Sequence, residues 1–273
     1  MLTGWEVDQF KLFGFVILRG LFSTEAAALR AEIDFALRDA FDEDYETDHR
    51  SSTSTPDGEV YAPGSFLPIL ANGAPVSGRL VADDGRLWDI AEQLIGDVTL
   101  ASPALAACIV GETPWHRDGG LGVPWIRFNA YLDDTRRETG ALLAVPGSQA
   151  AETTERVIDH LSRLDNTALR SPDLLPAVAI ETEPGDVIAF DPRIFHASFG
   201  GDKRLRWSVD YLPLPDWTNT RQCELTRDLI VELSDWPAPP RWHAWRDWTA
   251  ARPLSMARSR AIDQLSRLGV PMR

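Results

Sequence analysis

The sequence predicts a mainly β protein with flanking helices, its strands forming a sandwich or barrel. Three observations carry this. Between residues 98 and 213, short runs rich in Val, Ile, Phe, Tyr and Leu are punctuated by Gly and Pro, the pattern of strands joined by tight turns. No crossover helices alternate with those runs, which argues against a parallel α/β sheet. Apart from one insertion, helical periodicity is confined to the two ends of the chain.

The elements follow in order. An amphipathic stretch over 5–13 leads into Gly14-Phe15-Val16-Ile17-Leu18, which reads as a buried strand. Ser23 is placed to cap a helix that runs to Phe41, with apolar positions at Ala27, Leu29, Ile33, Phe35 and Leu37. Residues 42–82 show neither helical nor strand period and read as a long loop, a lid over the site that closes when substrate binds. A second helix covers 83–95 and stops at Gly96. Strands are expected at 105–110, 125–132, 141–145, 177–181, 187–190 and 205–212, with a helical insertion at 150–165. Helices return at 219–234 and 254–269, on either side of a Trp-rich segment.

Charge narrows the function. The chain has 273 residues, with 27 Lys+Arg against 41 Asp+Glu, a formal net charge of −14. Such a chain repels phosphate backbones and anionic lipid, so neither nucleic acid nor membrane is an expected partner. No apolar run approaches a membrane span, and the first residues lack a secretory pattern. Two cysteines, Cys108 and Cys223, are too few for a disulfide scaffold and read as free thiols in the cytoplasm.

The chemistry starts at His116-Arg117-Asp118. In extended chain, residues i and i+2 point the same way, so an imidazole and a carboxylate converge. Alone this means little, because five histidines among 41 acids give about one such pair by chance. A second histidine, His196, follows the turn Pro184-Gly185 and the strand at 187–190. Two histidines and one carboxylate can hold one face of an iron ion and leave the other open. Further on, Arg206 and Ser208 share a strand face. A guanidinium and a nearby hydroxyl suit the far carboxylate of a dicarboxylate cosubstrate. Arg204 faces the same way as Arg206 and competes for that role.

Four segments in order then resemble the phytanoyl-CoA dioxygenase-like family of iron(II)/2-oxoglutarate oxygenases. They are Gly14-Phe15-Val16-Ile17-Leu18-Arg19-Gly20-Leu21-Phe22-Ser23, Pro114-Trp115-His116-Arg117-Asp118-Gly119, Thr139 through Gln149, and Pro184-Gly185-Asp186-Val187 through His196. The resemblance spans roughly 8–212. Thr139 and Gln149 depart from the family's usual Asn and His, at positions that are not metal ligands there. The fold implied is a double-stranded β-helix, the cupin-like jelly roll. With no internal repeat or flexible linker, residues 1–273 read as a single oxygenase domain: an N-terminal helical and loop region 1–97, a jelly-roll core 98–213 and a Trp-rich helical extension 214–273 that lies outside the resemblance.

It also implies roles. His116, Asp118 and His196 would hold iron(II). Arg206, helped by Ser208, would bind 2-oxoglutarate, with Asn129 and Thr113 facing that cosubstrate. Dioxygen is the second cosubstrate, and hydroxylation is the default outcome. Halogenating relatives carry a small residue where Asp118 stands, so chlorination is not expected. Arg127 either reaches an anionic substrate group or pairs with an internal acid. His49, His160 and His243 read as bystanders, His160 as a surface pair with Asp159. Trp242, Trp245 and Trp248 read as packing against the barrel or a second subunit of a homodimer. The expected substrate is a small molecule, either a specialised bacterial metabolite or an amino-acid-like compound, with a small acid or phosphonate as the alternative.

Overall fold

The computed structural model describes residues 1–41, 45, 51–55, 58–62, 64–70, 74–118, 123–164, 171–235, 242, 244–250 and 254–272, with 51–55 and 58–62 as backbone only. Thirteen strands are described: β1 Phe15–Leu18, β2 Ser51–Thr55, β3 Gly58–Ala62, β4 Gly64–Pro68, β5 Val98–Leu100, β6 Leu105–Val110, β7 Thr113–His116, β8 Ile126–Tyr131, β9 Thr139–Ala144, β10 Val178–Ile180, β11 Val187–Phe190, β12 His196–Gly200 and β13 Lys203–Pro213. The helices are α1 Gly4–Phe13, α2 Ala26–Phe41, α3 Pro75–Gly78, α4 Arg86–Ile95, α5 Ala151–Leu161, α6 Thr220–Ser234, α7 Ala244–Ala250 and α8 Met256–Leu268.

Two antiparallel sheets face each other in the jelly-roll manner. The larger runs β1-β11-β8-β13-β6-β4, with β5 also paired to β13; the smaller runs β10-β9-β12-β7. Side chains alternate across a strand, so each sheet has two different faces. On the outer face of the large sheet, Phe128, Trp207, Val209 and Ala189 join Leu29 and Ile33 of α2 and Leu87 and Ile90 of α4 in one apolar core. Trp207 is fully buried there, and its Nε1 donates to Ser77 Oγ at 3.0 Å. The outer face of the small sheet packs Trp115, Leu143 and Phe199 against Val157, Ile158 and Leu161 of α5. Between the sheets, Phe15, Tyr131, Ile188 and Phe190 meet Leu142 and Ala144 and close one side of the interior.

Two expectations need correcting. Residues 42–82 are not a featureless loop. They contain the hairpin β2–β3, strand β4 buried along its whole length on β6, helix α3 and a π-helical turn Arg79–Asp83. The stretch 42–44, 46–50, 56–57, 63 and 71–73, with His49, lies outside the described residues, and the lid expectation, made for all of 42–82, falls on it in part. The second correction is that α2 begins at Ala26, three residues after Ser23, because 20–25 form turns held by the Phe22 N–H donating to the Gly185 carbonyl at 2.8 Å.

The Trp-rich segment packs inward. Trp245 and Trp248 are buried in the main core and meet edge to face at 5.9 Å, and the Arg258 guanidinium of α8 lies 5.4 Å above Trp248. His243 lies outside the described residues. His160 is exposed on α5, and its neighbour Asp159 pairs instead with Arg163. Among the described residues, no helix is long and apolar enough to cross a membrane.

Candidate active site

Strands β7 and β12 pair with His116 directly opposite His196. Both rings therefore emerge side by side on the inner face, their centroids 4.2 Å apart. Asp118 follows two residues after β7, and its backbone N–H donates to the Pro192 carbonyl at 2.9 Å, in the turn that leads into β12. The same turn is tied to the first strand, where the Asp191 N–H donates to Gly14 O at 2.8 Å. Ligand-capable atoms of His116, Asp118 and His196 all lie within 4.8 Å of one another.

Both imidazoles are oriented by the chain itself. His116 Nδ1 lies 2.7 Å from Pro114 O, and His196 Nδ1 lies 2.9 Å from Ile194 O. A carbonyl only accepts, so each Nδ1 carries the proton and each Nε2 presents a lone pair. His116 Nε2 is 3.6 Å from Asp118 Oδ1, and His196 Nε2 is 4.0 Å from Asp118 Oδ2. Burial, reinforced by His116 beside it, pushes the His196 pKa down to about 3, which keeps the ring neutral. Burial alone would raise the Asp118 pKa, but Arg127 and the two histidines outweigh it and hold the carboxyl well below the usual range. Two neutral imidazoles and one carboxylate suit a divalent cation with open positions.

Arg127 supports the carboxylate. Its Nη1 donates to Asp118 Oδ2, and its Nε donates to Asp210 Oδ1 at 2.8 Å. Of its two readings, pairing with internal acids is the one observed. Sequence patterning could not name the acids, because Arg127 and Asp210 become neighbours only through the β8–β13 register.

That register stacks inward-facing pairs in layers: Asp210 opposite Arg127, Ser208 opposite Asn129, and Arg206 opposite Tyr131. Arg204 lies one inward position beyond, next to the turn joining β12 and β13. Its exposure is 1%, and its Nη1 donates to Gly111 O at 2.9 Å. Its Nε and Nη2 are buried without a hydrogen-bond partner. They form the side-on edge that grips a carboxylate through two parallel bonds. Gly140 of β9 makes room for it: a Cβ there would lie 2.8 Å from Arg204 Nη1. Ser198 stands close by, its Oγ donating to Gly140 O at 2.9 Å.

Arg206 is partly exposed, and its Nε is buried without a partner. Ser208 and Asn129 are buried, and Asn129 Oδ1 has no hydrogen-bond partner. Thr113 sits at the start of β7, paired with Ser198. The structure thus brings His116, Asp118 and His196 to one point and lines the same interior with Asn129, Arg204, Arg206 and Ser208. Ser198 is the polar residue that sequence reasoning passed over; its signal was the i+2 spacing from His196 on one strand.

Solved structures share this architecture. HygX from Streptomyces hygroscopicus, solved with nickel and 2-oxoglutarate bound, is 19% identical over 78% of this chain and 88% of its own, with a TM-score of 0.60. EctD from S. alaskensis, solved with 2-oxoglutarate and 5-hydroxyectoine, is 23% identical over 78% and 77%, with a TM-score of 0.54. EvdMO1 is 22% identical over 77% of this chain with a TM-score of 0.54, and this chain spans about half of it, 49%. No curated protein sequence matches the chain. Residues 10–204 match the model of the phytanoyl-CoA dioxygenase (PhyH) family, and the chain belongs to that family.

Proposed function

We propose that the protein is an iron(II)- and 2-oxoglutarate-dependent oxygenase that hydroxylates an unactivated C–H bond of a small molecule. One observation carries the reading: two imidazole Nε2 atoms fixed by backbone carbonyls and one clamped carboxylate converge in an interior that also holds a free arginine fork. Bound at the three residues, iron would supply dioxygen activation at the expense of 2-oxoglutarate, which ends as succinate and carbon dioxide. His116, Asp118 and His196 are the proposed ligands. Family membership and the metal- and 2-oxoglutarate-bound neighbours support this.

For the far carboxylate of 2-oxoglutarate we favour Arg204 over Arg206. The parity of β13 left the two equal in the sequence, where the Arg206-x-Ser208 spacing tipped the choice. The support for Arg204 is its unpartnered Nε/Nη2 edge and its place beside Ser198. Asn129 and Ser208 remain proposed as polar neighbours of the cosubstrate, and Thr113 as a weaker one. The chain as a whole is proposed to form one oxygenase unit, supported by a core that α4, α7, α8 and the large sheet share. Asp118 retains the carboxylate, which favours oxygenation over chlorination.

The test is succinate release from 2-oxoglutarate with iron(II), screened against metabolites for substrate-coupled turnover. A product heavier by one oxygen atom marks hydroxylation. His116→Ala, Asp118→Ala and His196→Ala are each expected to abolish turnover while thermal unfolding stays cooperative. Normal turnover by His196→Ala would end the assignment. Arg204→Gln is expected to weaken 2-oxoglutarate binding by about 2–4 kcal/mol, the cost of losing a bidentate charge-assisted contact. A larger loss in Arg206→Gln would return the role to Arg206.

A further inference from the structure

We infer that the interior is built to take an anionic primary substrate, with Arg206 receiving its carboxylate; this rests on the iron and 2-oxoglutarate reading above. The argument is one of charge and partners. Arg127 is spent between Asp118 and Asp210. Arg204 keeps a fork for the cosubstrate. Arg206 makes no hydrogen bond or ion pair with any described residue, although its Nε is buried. The charged groups around it are Arg127, Asp118 and Arg204. Among the described residues, no carboxylate is left to neutralise it.

Filling the site does not remove the excess. A divalent ion less the Asp118 charge, together with Arg204, balances the two negative charges of 2-oxoglutarate. Arg127 and Asp210 cancel. One positive charge, that of Arg206, is left, and its Nε is buried without a partner, where an uncompensated ion is costly. A carboxylate docked on Arg206 neutralises the filled interior. The location is suitable too. Arg206 lies on the inward face of β13 between Ser208 and Arg204, opposite Tyr131, with Asp118 among the charged groups near it. A substrate held there by its anionic end extends its carbon skeleton past the triad.

The experiment uses full-length protein loaded with manganese(II) and 2-oxoglutarate under nitrogen, so that nothing turns over. Matched pairs of carboxylic acids and their primary amides, spanning aliphatic, aromatic and N-acyl-amino compounds, are titrated by calorimetry. At least one acid is expected to bind about tenfold or more tightly than its amide. Arg206→Gln is expected to abolish that preference while holding 2-oxoglutarate affinity within about threefold, and Arg206→Lys to retain part of it. Two results overturn the inference: no acid preferred over its amide by wild-type protein, or a loss of 2-oxoglutarate binding in Arg206→Gln that Arg204→Gln does not show. Failure of wild-type protein to bind manganese or 2-oxoglutarate would strike the oxygenase reading itself and this inference with it.

Discussion

At the scale of single residues, the site is organised by what holds its functional atoms still. Each histidine donates Nδ1–H to the carbonyl two residues before it, so ring orientation is set by the local strand and not by a distant side chain. Asp118 depends on Arg127, and Arg127 depends on Asp210. Arg127→Met is therefore expected to lower metal affinity on the order of 10- to 100-fold, the usual loss when a ligand's supporting partner goes. It also strands Asp210, at a cost of about 3–5 kcal/mol of stability. The double variant Arg127→Met/Asp210→Leu should recover most of that stability but not the metal affinity. Calorimetric metal titration beside urea unfolding separates the two effects; recovery of both would mean that Arg127 serves only the fold. The triad was legible in the sequence because His116 and Asp118 share one extended segment and the order of the family-like motifs supplied His196, whose place opposite His116 comes from the β7–β12 pairing. For Arg127 and Arg204 the sequence offered only alternatives, because the choice depends on which distant residues each meets once the strands pair.

Among the elements, β13 shows most clearly how fold and site divide one strand. Leu205, Trp207, Val209 and Tyr211 belong to the core, while Arg204, Arg206, Ser208 and Asp210 line the interior. Trp207→Ala is expected to cost about 3–5 kcal/mol of stability, the range for large-to-small changes in a core. Ser208→Ala, next to it, should leave the urea midpoint nearly unchanged. Comparable losses at both positions would contradict the alternation. The strand pattern was readable here because alternation of period two is explicit in the sequence. The β2–β3 hairpin and β4 carry little apolar alternation, with Ser, Gly and Pro interrupting the pattern, and β4 owes its form to its register on β6. The α2–α4 junction adds a pH dependence. Arg86 donates to Asp84 at 2.8 Å and to Glu25 at 2.8 Å, and hydrogen bonding to Arg86 holds the Asp84 pKa below its ordinary value of 3.8. A depressed carboxylate pKa gives stability that is complete above the unfolded value and is lost as pH falls through the folded one. Unfolding midpoints should thus decline below about pH 4, and Asp84→Asn should flatten that acid limb relative to wild type.

For the whole molecule, the relevant contrast is between a net charge of −14 and an interior lined by Arg127, Arg204 and Arg206. The composition announced the first and hid the second, because only folding gathers those cations on one face. Approach and capture are consequently governed by opposite signs. An incoming dianion meets repulsion from the molecule at long range and attraction only once it is inside. Salt at physiological strength cuts the reach of such fields to about 8 Å. That shields the long-range repulsion more than contacts made within the interior. The association rate of 2-oxoglutarate should therefore rise as ionic strength goes from low to physiological, the reverse of the behaviour of an enzyme that steers its ligand in. Stopped-flow binding at several salt concentrations would show it, and a rate that falls with salt would mean that the mouth presents a local field opposite to that of the molecule. With the expected rise, ligand entry into this molecule is a screened barrier crossing, in which dissolved ions speed delivery without touching the site.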